Sequence, residues 1–245
     1  MTDHQTDGSM LEGVLVLDKS LGMTSMRAVE IVRRRASKAK AGHAGTLDPL
    51  ATGVLLVAIG RSTKSIEQLM ATEKRYESEF DLSAFTATDD TEAAREDVAV
   101  EVPPTHEAVR AALDSMVGTI QQRPPAFSAI KVQGQRSYRT ARRAMLSADA
   151  EQPPQLERPA SRPVTVHSID ILSYQWPILS VRVHCGKGTY IRSLARDLGE
   201  RLHTGGHCVS IRRTAVGPYT IAVARTLEEL PDLLTSRDLL PVPSP

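Results

Sequence analysis

Residues 42–53 read Gly-His-Ala-Gly-Thr-Leu-Asp-Pro-Leu-Ala-Thr-Gly, and of all stretches in this 245-residue chain they are the best suited to chemistry. The glycines let backbone approach a ligand closely, and Pro49 biases Asp48 away from helical backbone, holding a carboxylate at the edge of a loop. A carboxylate with an ordinary pKa of about 3.9 is ionised at neutral pH, so it needs orientation more than activation to serve as nucleophile or charge stabiliser. Asp followed by Pro is also a good helix N-cap with proline at the first helical position, so the local sequence leaves a purely structural role open. A second constellation, Cys185, His203, His207 and Cys208, has metal-ligating residue types. Gly205-Gly206 separates its two histidines and the paired Cys-x-x-Cys spacing of zinc sites is missing, so no metal is expected.

The elements that must position Asp48 follow from periodicity. Residues 13–18 form a short apolar strand, and 25–35 a helix with Ala28, Ile31 and Val32 on one face. A glycine-punctuated loop is expected over 41–52, then a buried strand over 54–59. Residues 74–82 alternate, with Tyr76, Ser78, Phe80 and Leu82 on one side. A helix follows Pro103-Pro104, carrying Val109, Ala112, Leu113 and Met116; a strand over 127–132 turns at Gln133-Gly134 into a basic helix near 137–145. Residues 147–163 lack periodicity and read as an exposed loop. Strands at 164–172 and 179–185 pair, and a helix from Thr189 carries Ile191, Leu194, Ala195, Leu198 and Leu202 as an amphipathic stripe. A strand over 207–216 and a short final helix capped by Thr226 and Glu229 complete the pattern. The irregular alternation gives an α+β fold, a mixed and mainly antiparallel sheet with flanking helices.

Charge is unevenly spread although the net charge is only +1. Residues 31–64 hold seven lysines and arginines against Asp48 alone, and 121–143 hold six with no acid, two segments suited to tracking phosphates. Residues 86–114 carry eight acids against two arginines and read as a solvated acidic face. With no membrane-length apolar run, no secretory signal and only two cysteines, a cytoplasmic protein with free thiols is expected.

The 42–53 string resembles the catalytic motif of the TruB family of tRNA pseudouridine synthases, and other motifs agree in order and spacing. These are Leu17-Asp18-Lys19 with Gly22-Met23-Thr24-Ser25, Arg61-Ser62-Thr63-Lys64, Lys74-Arg75-Tyr76, and Pro125-Ala126-Phe127-Ser128-Ala129-Ile130-Lys131 with Gly134. Lys187-Gly188-Thr189-Tyr190-Ile191-Arg192 and Leu198-Gly199 leading to Ile211-Arg212-Arg213 extend the match, which covers residues 12–220. The resemblance implies isomerisation of uridine 55 in the T loop of tRNA: the bond from N1 to the ribose breaks and the sugar rejoins at C5. That chemistry exchanges no electrons or phosphates, so no cofactor is implied, and the sequence has no Walker or dinucleotide glycine motif.

By the same resemblance Asp48, Tyr76, Tyr190 and Arg192 are the catalytic set. Arg192 would pair with Asp48, Tyr76 would stack on the target base as a candidate for proton transfer, and Tyr190 would be a second active-site tyrosine. Only nine aromatics occur in the chain, so two at motif positions carry weight. Tyr190 and Arg192 fall off the apolar stripe of their helix and are expected to point out of the core. His43 would contact RNA and brace the space left by the flipped base, Ile211 would pack beside that base, Lys19 would support the loop, and Lys131 and Lys187 would bind substrate. Ser20, Ser83 and Ala93 depart from the family's usual Pro, Gly and Gly.

The expected organisation is a disordered N-terminus over 1–11 and a catalytic domain over 12–245, with an RNA-binding thumb near 124–162 and no small C-terminal RNA-binding domain. The expected partner is the T stem-loop of tRNA, with no membrane and no obligate protein partner, on a monomer. The alternative is a non-catalytic RNA-binding or tRNA-folding protein on the same scaffold, which would not require Asp48, Tyr76, Tyr190 and Arg192 together.

Overall fold

The computed structural model describes residues 11–128, 131–132, 135–136 and 158–243. In chain order the elements are β1 (Gly13–Lys19), α1 (Ser25–Arg35), β2 (Ala41–Ala44), β3 (Ala51–Ile59), α2 (Ile66–Ala71), β4 (Lys74–Asp81), β5 (Ala84–Thr86) and β6 (Arg95–Asp97). There follow α3 (His106–Asp114), β7 (Gly118–Gln122), β8 (Lys131–Val132), β9 (Gln135–Arg136), β10 (Arg162–Gln175), β11 (Ile178–Cys185), α4 (Ile191–Leu202), β12 (His207–Val216) and β13 (Tyr219–Thr220). The chain divides into two compact units, Met1–Lys74 with Arg212–Pro245, and Arg75–Ile211. The N-terminal residues 1–10, the basic helix predicted over 137–145 and most of the predicted thumb lie outside the described residues.

In the first unit β1 and β2 both pair antiparallel with β3, in registers that run from Gly13↔Ile59 to Lys19↔Gly53 and from Ala41↔Ile59 to Ala44↔Leu56. Val54–Ile59 is an unbroken apolar run because β3 is fully buried along that length. Val14, Val16, Ala44, Val54, Leu56, Leu69, Val216 and Tyr219 form one core cluster, the last two from the end of β12 and from β13. Gly53 is obligatory: its φ is +97°, and a Cβ there would lie 2.2 Å from the Arg213 carbonyl oxygen. The predicted loop over 41–52 is shorter than expected, because His43 and its neighbours run as a strand edge on β3 although Gly42 and Ala41 give no strand propensity.

In the second unit the strand order is β12, β4, β11, β10, β7. β10 pairs antiparallel with β11 and with β7, where Arg162 faces Gln122. β4 alternates buried and open positions as its sequence predicts, placing Tyr76, Ser78 and Phe80 inward. Helix α4 buries Ile191, Leu194, Ala195 and Leu198 and packs beside α3. It ends on His203, whose φ of +56° makes it the left-handed cap, a position glycine more often fills. Three further corrections apply, two to the strand and helix readings and one to the charge reading. Of the described residues in the predicted 127–132 strand, Phe127 and Ser128 are bends and Lys131–Val132 is strand, hairpin-paired with Gln135–Arg136. The Thr226–Glu229 capping pair forms, yet over a turn rather than a helix. Asp89 and Asp90 are 2% and 0% exposed, so the 86–114 segment is not wholly a solvated face. Among the described residues no helix is long and apolar enough to cross a membrane.

Candidate active site

In the first unit residues 45–50, between β2 and β3, form a pinned loop. Ser25, in the first turn of α1, donates from Oγ to the Leu47 carbonyl and accepts from the Leu47 N–H, both at 2.9 Å. Leu47 is thereby fixed at both backbone groups immediately before Asp48. The Asp48 carbonyl accepts from Ala51 N–H at 3.0 Å and the Pro49 carbonyl from Gly22 N–H at 2.8 Å, which closes a turn. No helix starts at Pro49, so the N-cap reading of Asp48 does not hold. Buried Arg213 donates to Val54 O at 2.7 Å and to Gly45 O at 3.1 Å, tying both flanks of the loop to β12.

Lys19 ends β1 with only 1% of its surface exposed, and its ammonium donates to the Ser20 and Met23 carbonyls at 2.9 and 2.8 Å. Burial pushes its pKa down to about 8, with the Asp48 carboxylate opposing that shift and Arg213 adding to it. His43 is lowered below the usual histidine value by burial and by Arg213, which keeps the ring neutral at physiological pH. Its Nδ1 is shielded from water and has no hydrogen-bond partner among the described residues. Lys19, His43 and Asp48 are therefore brought together in one unit, with Ser25 and Arg213 as the supports that sequence reasoning quoted within motifs without assigning a role.

In the second unit Tyr76 lies on the inward face of β4 and is 9% exposed, and Ile211 is buried midway along β12. Tyr190 is the N-cap residue of α4, and Arg192 is in its first turn. Arg192 does not point out of the core as expected: it is 4% exposed, because a polar layer rather than solvent covers the helix face beside the apolar stripe. Its Nη1 donates to Asp90 Oδ2 at 2.8 Å and to Thr88 O at 3.0 Å, and Nη2 donates to Phe127 O at 2.8 Å. The other oxygen of Asp90 accepts from Thr88 Oγ1 at 2.6 Å and from Glu92 N–H at 2.9 Å. Thr88 and Asp90 thus hold the guanidinium that the motif places next to Tyr190.

Asp89, left-handed at φ +61°, holds two further arginines. Arg158 binds it bidentately at 2.9 and 3.0 Å, and Arg196 donates to it at 2.7 Å. Arg196 also donates to Arg123 O at 2.8 Å, so α4 grips chain on both sides of residues 129–157. The positive φ falls on Asp89 rather than at Ser83 or Ala93, where the family's glycines would stand. Lys187 is exposed in the turn before α4, and Lys131 lies on β8 opposite Arg136.

The candidate metal ligands have other occupations. His207 Nδ1 is bonded to the Ala84 carbonyl at 2.9 Å, His203 caps α4, and the buried Cys208 thiol, pushed strongly upward by desolvation, contacts Ser78. Among the described residues Cys185, His203, His207 and Cys208 do not converge.

Two family models match the chain. That of the TruB family pseudouridylate synthase N-terminal domain covers residues 33–191, and that of the tRNA pseudouridylate synthase B C-terminal domain covers residues 192–240. The chain is 42% identical over 224 residues to tRNA pseudouridine synthase B of Aromatoleum aromaticum, covering 90% of this chain and 68% of that one. It is 44% identical over 232 residues to the protein of the same name from Thermobifida fusca, covering 90% and 75%. Among solved structures it resembles a chain of a Cbf5-Nop10-Gar1 complex, with TM-score 0.67 and 29% identity over 90% of this chain and 54% of that one. A chain of an H/ACA RNP bound to a substrate RNA containing 2'-deoxyuridine gives TM-score 0.64 and 26% identity, covering 90% and 53%. The chain spans about half the length of these two solved chains.

Proposed function

The chain belongs to the TruB family of pseudouridylate synthases, and from that premise we propose that it isomerises uridine 55 in the T loop of tRNA. It is a pseudouridine synthase that acts on tRNA. The finer reading rests on Asp48. Its loop is fixed by the Ser25–Leu47 double hydrogen bond and by the turn bonds at Asp48 and Pro49, so the backbone that carries the carboxylate is set before substrate arrives. That preorganisation is what an already ionised group requires.

In the reaction the N1–C1′ bond breaks, a C5–C1′ bond forms, and the proton lost from C5 is balanced by one gained at N1. The target base is stacked in folded tRNA, so it is flipped out at a cost of a few kcal/mol. Asp48 supplies the carboxylate at the sugar and base, and Tyr76 the aromatic face for the flipped uracil. Arg192 supplies fixed positive charge, held ready by Asp90. His43 offers the RNA a ring whose pKa burial and Arg213 lower. Lys19 braces the loop through Ser20 and Met23, Ile211 gives an apolar wall, and Lys131 and Lys187 meet phosphates.

The test compares the parent and Asp48→Asn proteins on unmodified tRNA transcript with chelator present, reading pseudouridine by carbodiimide treatment and primer extension. Product at the single T-loop uridine from the parent, and none from the variant at matched tRNA binding, is expected. A parent that binds transcript yet forms no product on it or on total unmodified RNA would leave an RNA-binding protein in place of the enzyme.

A further inference from the structure

We propose that Gln122 and Arg162 are positioning residues that fix Tyr190 for the bound nucleotide, an inference that rests on reading Tyr190 as an active-site tyrosine. The two are cross-strand partners where β7 pairs with β10, and they reach Tyr190 by different routes. Gln122, 1% exposed, accepts the Tyr190 N–H at Oε1 (2.8 Å) and donates from Nε2 to the Tyr190 carbonyl (3.1 Å). One amide thus satisfies both backbone groups of one residue.

The Tyr190 carbonyl also accepts the first helical bond, from Leu194 N–H at 3.2 Å, whereas the Tyr190 N–H lies outside the helix's own bonds. Tyr190 is the N-cap of α4, yet its side chain makes no capping bond, so nothing within the helix itself sets its orientation by capping. Gln122 does so from a buried strand end, where rotamer freedom is small.

Arg162 acts on the ring. Its Cζ lies 5.5 Å from the Tyr190 ring centroid, and its Nη2 donates to the Gly188 carbonyl at 2.7 Å. Gly188 is left-handed at φ +82°, and a Cβ there would come within 3.1 Å of that same Nη2. The guanidinium is therefore seated between a turn carbonyl and an aromatic face, a double task that suits a planar fork and not an ammonium. Backbone is fixed by one member of the cross-strand pair and ring by the other. Because Arg192 follows two residues later, the same hold sets where its helical turn begins.

The experiment measures kcat and KM on unmodified tRNA transcript for Gln122→Met, Arg162→Met and Arg162→Lys, each alone and in a Tyr190→Leu background, with single-turnover rates for the slow double variants. Gln122→Met and Arg162→Met are expected to lower kcat about five- to thirtyfold while KM stays within about threefold, and Arg162→Lys to recover part of the loss. Both losses should vanish in the Tyr190→Leu background, since residues acting through one shared partner are not additive. A rise in KM at unchanged kcat would mean that Arg162 meets RNA directly, and losses that add to Tyr190→Leu would mean that neither residue acts through the ring. Either result overturns the proposal alone. Tyr190→Leu as active as the parent overturns the reading of Tyr190 and the proposal with it. Should Gln122→Met lose its native circular dichroism, the Arg162 pair of variants decides.

Discussion

Arg192 Nη1 and Asp90 Oδ2 stand 2.8 Å apart with 4% and 0% of their side chains exposed, an ion pair closed off from water inside the second unit. Asp90→Asn keeps the shape and removes the charge, leaving a buried guanidinium without its carboxylate, which costs about 3–5 kcal/mol. Chemical denaturation should show a loss of that order, together with reduced turnover because Arg192 is no longer held. Asp90→Asn as stable as the parent would mean that the Thr88 and Phe127 carbonyls suffice to hold the guanidinium.

The Asp48 loop depends on a glycine packed against the Arg213 backbone. At Gly53 a Cβ would sit 2.2 Å from Arg213 O and 2.9 Å from Arg213 N, both backbone atoms that cannot swing aside, on a φ of +97°. Gly53→Ala should cost about 2–4 kcal/mol, the range of strained and overpacked substitutions. Thermal melts of Gly53→Ala and, as a control, Gly22→Ala separate the two terms. Gly22 is also left-handed, at φ +78°, but has open space around the added methyl, so it should lose less.

How much of this was legible in the sequence differs residue by residue. Helix α1 and strand β12 appear at the bounds that the sequence pattern predicts, because each is bounded by a capping residue or a glycine. The turn at Asp48 was legible because Gly45, Asp48 and Pro49 in that order constrain backbone locally. The Asp90 contact of Arg192 was not, since Asp90 sits among acids that read together as a solvated face, and only the fold shows that two of them are buried. Arg192 itself was misread for the same reason: position on a helix tells which residues avoid the apolar stripe, not whether a polar layer lies beyond it. β2 was missed because its four residues, Ala-Gly-His-Ala, gain strand geometry only from pairing with β3.

Lys19 gives the site a pH signature. Its pKa falls from 10.5 to about 8, so burial penalises the charged form in the folded chain. Below pH 8 the lysine is protonated in both states and the penalty is present in full. Between about 8 and 10.5 the folded chain gives up the proton while the unfolded chain keeps it, so this contribution to stability rises with pH. Lys19→Met should therefore be most favourable relative to the parent at pH 7 and lose that advantage towards pH 10, as measured by urea denaturation across the range. Turnover should fall along an alkaline limb with its midpoint near 8 as the ammonium beside Asp48 is lost. A stability difference between parent and variant that stays flat from pH 7 to 10 would contradict the assignment.

Asp89→Asn isolates the second carboxylate of the tandem. Asparagine tolerates the left-handed backbone that Asp89 adopts at φ +61°, so the substitution leaves the turn intact and removes only charge. Two arginines then lose a partner. Arg196, 7% exposed on its side chain, retains Asp197 at 2.6 Å, whereas Arg158, 25% exposed, turns to water. Because one partner is replaced and the other solvated, the cost should be smaller than for Asp90→Asn, about 1–3 kcal/mol by chemical denaturation. Asp89 fastens Arg158 directly and Arg123 O through Arg196, the chain on either side of a basic segment. Loosening that hold should raise KM for tRNA several-fold while kcat stays near the parent value, because Arg192 keeps Asp90. The contrast between the two neighbours is the check: Asp89→Asn acting mainly on KM and Asp90→Asn mainly on kcat. Equal effects of both substitutions on kcat would mean that the tandem carboxylates act as one support for Arg192.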